Sequence, residues 1–226
     1  MNKLSRLFSV LLTIAVPIFL MMSSIRILIN PFFLDYEYKL SSFPADEFGF
    51  STQDRLNWGK LSLNYLTNSA GPEFLSNLKF SDGRPIYNER ELGHMIDVKN
   101  LVQLMIKIWL SLLLFLTLIA LVSWKLDWIS HFWKAISNGG WLTLGLIGLI
   151  LAGVMINFDA LFTGFHRIFF TGDTWLFFVD DTLIRLFPEK LWSDAFTFMG
   201  VFTLASAVIC VFVGIRLSQK TDEKDG

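Results

Sequence analysis

Four stretches of the chain carry no charged residue: 7–25, 108–124, 135–158 and 195–215. Crossing the hydrocarbon of a bilayer takes roughly 20 mostly apolar residues in a helix. Each stretch is therefore read as a transmembrane helix, with spans at about 7–25, 101–124, 137–158 and 195–215. The second span extends upstream across Lys107, which snorkels to the interface in this reading. The first could instead be a cleaved signal peptide, because Lys3 and Arg6 make a basic start. Its apolar core is too long for that, and "LMMSSIRI" offers no small-x-small cleavage site. It is read as a retained helix with Pro17 inside it. The expected fold is thus an all-α integral membrane protein in which the segment 1–226 forms one membrane domain.

Between the spans the pattern changes to amphipathic. Segment 27–98 is too long and too patterned to be a plain connector. Ser51 with Asp54 three residues on predicts a helix start, and Trp58, Leu61 and Tyr65 follow at helical spacing before Gly71-Pro72 ends the run. "PEFLSNLKF" predicts a second short helix, and "SDGRPIY" a turn with a short hairpin. A small folded extracytoplasmic cap between the first two spans is the expectation. Asn88 is a good N-cap with Glu91 at the position that closes a capping box. From there one helix is expected to run unbroken into the second span. A second outer loop is assigned to 159–194.

Composition supports the membrane reading. The chain is 53% hydrophobic with a formal net charge of −1, and its mean hydropathy of +0.51 is high for a soluble domain. Lys3, Arg6, Lys125, Lys134, Arg216, Lys220 and Lys224 fall on one side of the four spans. Arg167, Arg185 and Lys190 fall in the short loop on the other side. This excess predicts cytoplasmic termini, with the cap and the loop 159–194 facing outward. The basic residues are dispersed, which gives no footing for nucleic acid, and the acidic "TDEKDG" reads as a solvated end. Cys210 is the only cysteine and lies inside the fourth apolar run, so no disulfide framework exists.

Two stretches carry candidate chemistry, "NERELGHMIDVK" before the second span and "FHRIFFTGDTW" after the third. They place His94 and His166 at the outer ends of two spans. On the helix from Asn88, Glu91 and His94 are i, i+3 neighbours, and Asp97 lies about 60° off that stripe. Asp159, Phe162, His166 and Phe170 share one helical face. Around them lie Phe165, Phe169, Trp175 and Phe177, whereas interfacial belts favour Trp and Tyr. A greasy pocket formed by Phe162, Phe165, Phe169, Phe170 and Trp175 is expected.

Histidine takes and returns protons near neutral pH. Two imidazoles flanking a reacting group would deprotonate a nucleophile and protonate a leaving group, with Glu91, Asp97 or Asp159 fixing tautomers. The plainer alternative is two interfacial histidines with satisfied hydrogen bonds. His131, beside Phe132 and Trp133, reads as interfacial. No Gly-x-Ser-x-Gly elbow is present, which disfavours a covalent acyl-enzyme. Glu91-x-x-His94 matches half of a di-iron pattern, but Thr163 stands where the second glutamate would be, so no metal and no cofactor are assigned.

These motifs, with "DTLIRLFPEKLW", "FGFSTQDRLNWGKLSLNYL" and the four spans, resemble the DUF1461 family of integral membrane proteins, which includes lipoprotein intramolecular transacylases. The resemblance covers nearly the whole chain. It implies that His94 and His166 are catalytic. It also implies a bacterial plasma-membrane acyltransferase that moves the sn-2 acyl chain of a diacylglyceryl lipoprotein to the α-amine of its N-terminal cysteine, giving a lyso-form lipoprotein. Membrane lipid surrounds such a site. Arg167, Tyr87 or a backbone N–H are then candidates for stabilising the oxyanion. Two other classes fit the same pattern: a non-catalytic four-helix partner protein, and another acyl-lipid enzyme such as a hydrolase or an intermolecular acyltransferase.

Overall fold

A computed structural model describes residues 3–225. Met1, Asn2 and Gly226 lie outside it, and so does the cytoplasmic placement expected for the two chain ends. The described residues form nine helices: α1 (Lys3–Leu28), α2 (Pro31–Glu37), α3 (Thr52–Thr67), α4 (Glu73–Ser76), α5 (Glu89–Lys125), α6 (Ile129–Ile156), α7 (Phe158–Phe169), α8 (Thr182–Leu186) and α9 (Glu189–Asp225). Among them α1, α5, α6 and α9 are long and apolar enough to cross a membrane. The protein is an all-α, multi-pass membrane protein. No strand forms among the described residues. The expected hairpin reduces to one bridge between Lys79 and Pro85, turned at Gly83, whose φ of +88° suits glycine.

The chain divides into two compact units. The first comprises Met1–Arg26, Ile106–Ile156 and Phe196–Gly226. Apolar helices gain nothing from leaving lipid for one another, so close backbone approach and buried polar pairs hold them together. A Cβ on Gly140 would stand 2.8 Å from the Ala207 carbonyl oxygen, and one on Gly139 would stand 2.5 Å from the Val16 side chain. Ser24 and Thr203 share a buried hydrogen bond of 2.9 Å, and the Trp109 indole N–H donates to Ser23 at 2.9 Å. Leu12, Ile119, Phe132 and Ala135 form a core cluster. The connection from α5 to α6 turns on Asp127 at φ 53°, a region aspartate tolerates.

The second unit comprises Ile27–Met105 and Asn157–Ala195. Its start signals are those of the sequence. Ser51 and Asp54 exchange side chain-to-backbone bonds at the head of α3. The Asn88 N–H donates to Glu91 Oε2 at 2.8 Å, and the Glu91 N–H donates to Asn88 Oδ1 at 3.0 Å. That capping box opens the unbroken α5. The buried residues of α3 are Arg55, Leu56, Gly59, Ser62, Tyr65 and Leu66, and of the three at helical spacing Tyr65 is buried while Trp58 and Leu61 are half-buried. Arg55 is tolerated inside because its guanidinium donates to the Pro44 and Arg185 carbonyls and lies over the Tyr38 and Phe43 rings. Lys99, also buried, donates to Asn68 and Ala70 and sits 4.0 Å above the Tyr65 ring.

The third span ends earlier than expected. The helix stops at Ile156, and Asn157 leaves helical geometry at φ −160° to cap a new helix by accepting the Ala160 N–H at 2.9 Å. The fourth helix is longer than its apolar run, beginning at Glu189 and continuing to Asp225. The acidic end is therefore helical as far as it is described, and Asp222 accepts from Ser130 and Lys134.

Candidate active site

His94 lies in the second turn of α5, and His166 in the last turn of α7. Within the second unit the two rings stand 6.1 Å apart between centroids and are nearly parallel at 22°. Both are buried, at 8% and 9% exposure. The stagger of α7 explains how His166 is held. Its Nδ1 lies 2.8 Å from the Phe162 carbonyl oxygen one turn back, as an N–H donor there. That bond fixes the tautomer and leaves Nε2 with its lone pair free. Burial lowers the His166 pKa below the usual histidine value, and the Phe162 bond opposes the shift only in part. His94 Nδ1 is fully buried with no hydrogen-bond partner among the described residues.

Aromatic rings form the walls. Phe162 is 4.1 Å, Trp175 4.9 Å, and Phe165 and Phe170 each 5.5 Å from the His166 ring. Phe170 also stands 4.9 Å from His94, so one ring touches both imidazoles. Phe170 is reached just past the helix, in extended conformation at φ −125°. Phe169 behaves differently: it is half exposed and packs on Phe165 with the rings tilted and 4.8 Å apart. The wall of His94 is completed by Phe177 at 5.3 Å, a residue absent from the expected pocket although it belongs to the same aromatic-rich run.

The polar residues expected to serve the histidines are placed otherwise. Both Glu91 oxygens are spent on backbone amides, Asn88 N–H at 2.8 Å and Leu183 N–H at 2.7 Å, and neither is on His94. Tyr87 is buried with its hydroxyl 2.7 Å from Ser62 Oγ, which itself donates to the Trp58 carbonyl. The phenol is thereby the donor to Ser62 and is occupied. Asp97, Asp159 and Arg167 are all exposed.

Two residues given no part in the site by the sequence pattern, Asp181 and Arg90, meet beside it. Asp181 accepts from Asn88 Nδ2, from the Arg90 guanidinium and from the Phe178 N–H, each at 2.8 Å. Arg90 also lies over the Phe178 ring at 4.8 Å and the Phe177 ring at 5.6 Å. Both lie in motifs of the sequence, Arg90 in "NERELGHMIDVK" and Asp181 at the head of "DTLIRLFPEKLW", but the pattern assigns neither a role there.

A buried imidazole pair with one defined tautomer, set among aromatic rings in a multi-pass membrane protein, defines the class: a membrane protein with a site chemically able to move protons. The model of the family "Lipoprotein intramolecular transacylase Lit" matches residues 10–192, and the chain belongs to that family. An uncharacterized protein of Aquifex aeolicus (strain VF5) is 28% identical over 217 residues, covering 93% of this chain and 94% of that one. In fold, the chain is similar to the membrane-integral lipoprotein intramolecular transacylase Lit from Bacillus cereus. The TM-score is 0.68 at 17% identity, covering 100% of this chain and 99% of the other. A structure of that protein with a histidine-to-arginine mutation matches at a TM-score of 0.69 and 16% identity, covering 99% and 95%.

Proposed function

We propose that the chain is a lipoprotein intramolecular transacylase, moving the sn-2 acyl chain of a diacylglyceryl lipoprotein to the α-amine of its N-terminal cysteine. The observation that carries the reading is the buried pair itself, His94 and His166 at 6.1 Å, walled by phenylalanine rings. Family membership and the fold of the Bacillus cereus Lit point the same way. In this reading the second unit and both histidines face outward, where diacylglyceryl-cysteine is displayed with its tails in lipid.

The chemistry follows from the substrate. The tetrahedral intermediate closes a ring through N, Cα, Cβ, S, glyceryl C3, C2, the ester oxygen and the acyl carbon. Such a closure is entropically poor, so holding the substrate folded supplies much of the rate. The α-ammonium, with a pKa of about 8, first releases one proton to become the free amine, which must lose a second proton as it attacks. His166 takes it at Nε2, because Nδ1–H is committed to Phe162. Two imidazoles this close in apolar surroundings are not both charged at once. His94 therefore acts neutral, offering an N–H to the ester carbonyl as charge develops on its oxygen. The bond from the acyl carbon to the C2 oxygen then breaks, and His166 returns its proton to that oxygen. Counted from the free amine, one proton leaves nitrogen and one reaches oxygen, so no net proton is consumed.

The test is a reporter lipoprotein in cells that make only the diacyl form, expressing the wild type, His94→Ala or His166→Ala. Mass spectrometry should show unchanged total mass with one acyl chain moved to nitrogen in the wild type, and no movement in either inserted variant. An acyl pattern that never changes would support the non-catalytic partner reading instead.

A further inference from the structure

Any base that activates an amine for attack on an ester also activates water. The amide product and the hydrolysis product therefore part at the question of what reaches the acyl carbon. Resting on the transacylase reading, we propose that Trp175 and Phe177 form a roof that selects the α-amine over water as acyl acceptor, and that the Asp181–Arg90 clamp holds this roof shut.

The same short segment, between α7 and α8, covers both imidazoles: Trp175 stands 4.9 Å from His166, and Phe177 stands 5.3 Å from His94. It has no helix or strand of its own from Thr171 to Asp181. Its internal bonds are local, such as the Trp175 indole N–H on the Gly172 carbonyl at 3.1 Å. What ties the roof to α5 is Asp181, bonded to Asn88 and Arg90 at 2.8 Å, one to two turns before His94. Arg90 adds its guanidinium face over Phe177 and Phe178. The outer side chains of the segment, Leu176, Phe178 and Val179, are 47%, 67% and 71% exposed. Its inner rings are thus aromatic, its outer face mixes these apolar side chains with exposed Asp173, Thr174 and Asp180, and Asp181 is its polar fastening to α5.

The two outcomes differ in atoms. In transfer, a C–N bond forms, the bond from the acyl carbon to the C2 oxygen breaks, and the amine proton ends on that oxygen with mass unchanged. In hydrolysis, water supplies the new C–O bond, and the products are a free fatty acid, a C2 hydroxyl and a free amine. The best-oriented intramolecular reactions reach effective concentrations of about 10⁵–10⁸ M. An eight-membered closure falls well short of that, so water admitted to the chamber competes. Phe177 is then a specificity-determining residue, and Arg90 a positioning residue acting through it.

The experiment uses the full-length protein in liposomes with a synthetic diacylglyceryl-cysteine peptide in ¹⁸O-water. It reads the ratio of ¹⁸O-labelled fatty acid to N-acyl peptide. Phe177→Ala and Arg90→Ala should each raise that ratio about tenfold or more, whereas Phe177→Leu, which keeps an apolar bulk, should hold it near the wild-type value. Arg90 is a partly exposed surface residue, so Arg90→Ala carries the test if Phe177→Ala does not accumulate. Variants that slow amide formation with the ratio unchanged would overturn the proposal. So would a Phe177→Leu ratio as high as that of Phe177→Ala. A wild type that forms no amide at all would overturn the transacylase reading beneath it, a result distinct from either.

Discussion

Replacing Glu91 by alanine separates two roles that the sequence alone confounds. Its side chain is 1% exposed, and its two oxygens each hold a backbone amide, Asn88 N–H and Leu183 N–H. Asn88 itself is exposed, so water can take up its freed amide, at a cost of about 0.5–1.5 kcal/mol for the lost bond. The Leu183 bond is buried, and an unpaired amide there costs about 1–3 kcal/mol. The expected loss for Glu91→Ala is thus about 2–4 kcal/mol. In a chain of this size that corresponds to a fall in unfolding midpoint of about 4–15 °C. Glu91→Gln should lose less, because its carbonyl oxygen still satisfies one amide while its NH₂ faces the other donor. Thermal unfolding in detergent gives the midpoint, and hydrogen exchange by mass spectrometry reads the Leu183 segment directly. Faster exchange there, with the lower midpoint, is the expected result. If Glu91→Ala leaves both unchanged yet abolishes acyl transfer, the carboxylate acts on His94, and the assignment to Leu183 is refuted.

Three further outcomes follow from the same geometry. The His166 imidazole, titrated by NMR in a protein lacking His131, should have a midpoint below the ordinary value of about 6.5, since burial favours its neutral form; a midpoint at or above that value contradicts the water-poor chamber. Gly140→Ala should lower stability by about 1–3 kcal/mol, because its Cβ meets the Ala207 carbonyl at 2.8 Å, while Gly148→Ala, with open space around it, should not; equal behaviour of the two in thermal unfolding would refute the packing argument. Glu37 is fully buried against Asp194 and Lys190, and burial, followed by Asp194, raises its pKa to about 7. Its stabilising contribution is full below the ordinary glutamate pKa and is lost as pH rises through about 7, so Glu37→Gln should flatten stability against pH across that window; an unchanged pH profile would contradict it.

What was legible in the sequence was what is local. The four apolar runs and the capping pairs Ser51–Asp54 and Asn88–Glu91 are set by spacing within one element, and all appear in the structure. His94 and His166 could be placed on the same side because each sits at the end of a run. The long-range destinations of polar groups were not legible. Arg55 is buried because carbonyls at Pro44 and Arg185 await it, and no pattern marks a carbonyl. Glu91 looked like the orienter of His94 because i, i+3 neighbours meet on a helix. The Leu183 amide, 92 positions away in sequence, claims its second oxygen instead. Tyr87 was named for its hydroxyl, which Ser62 already occupies. Phe177 lies in an irregular segment that brings it to His94, and helical periodicity has nothing to say there.

The central claim is tested most directly with the purified protein in liposomes and a synthetic diacylglyceryl-cysteine peptide, followed by tandem mass spectrometry of the product. The account predicts a product of unchanged mass whose N-terminal fragment has gained the sn-2 acyl chain, with no such product from His94→Ala or His166→Ala protein that unfolds like the wild type. Unaltered substrate with the wild type, or full transfer with either histidine replaced, would contradict it.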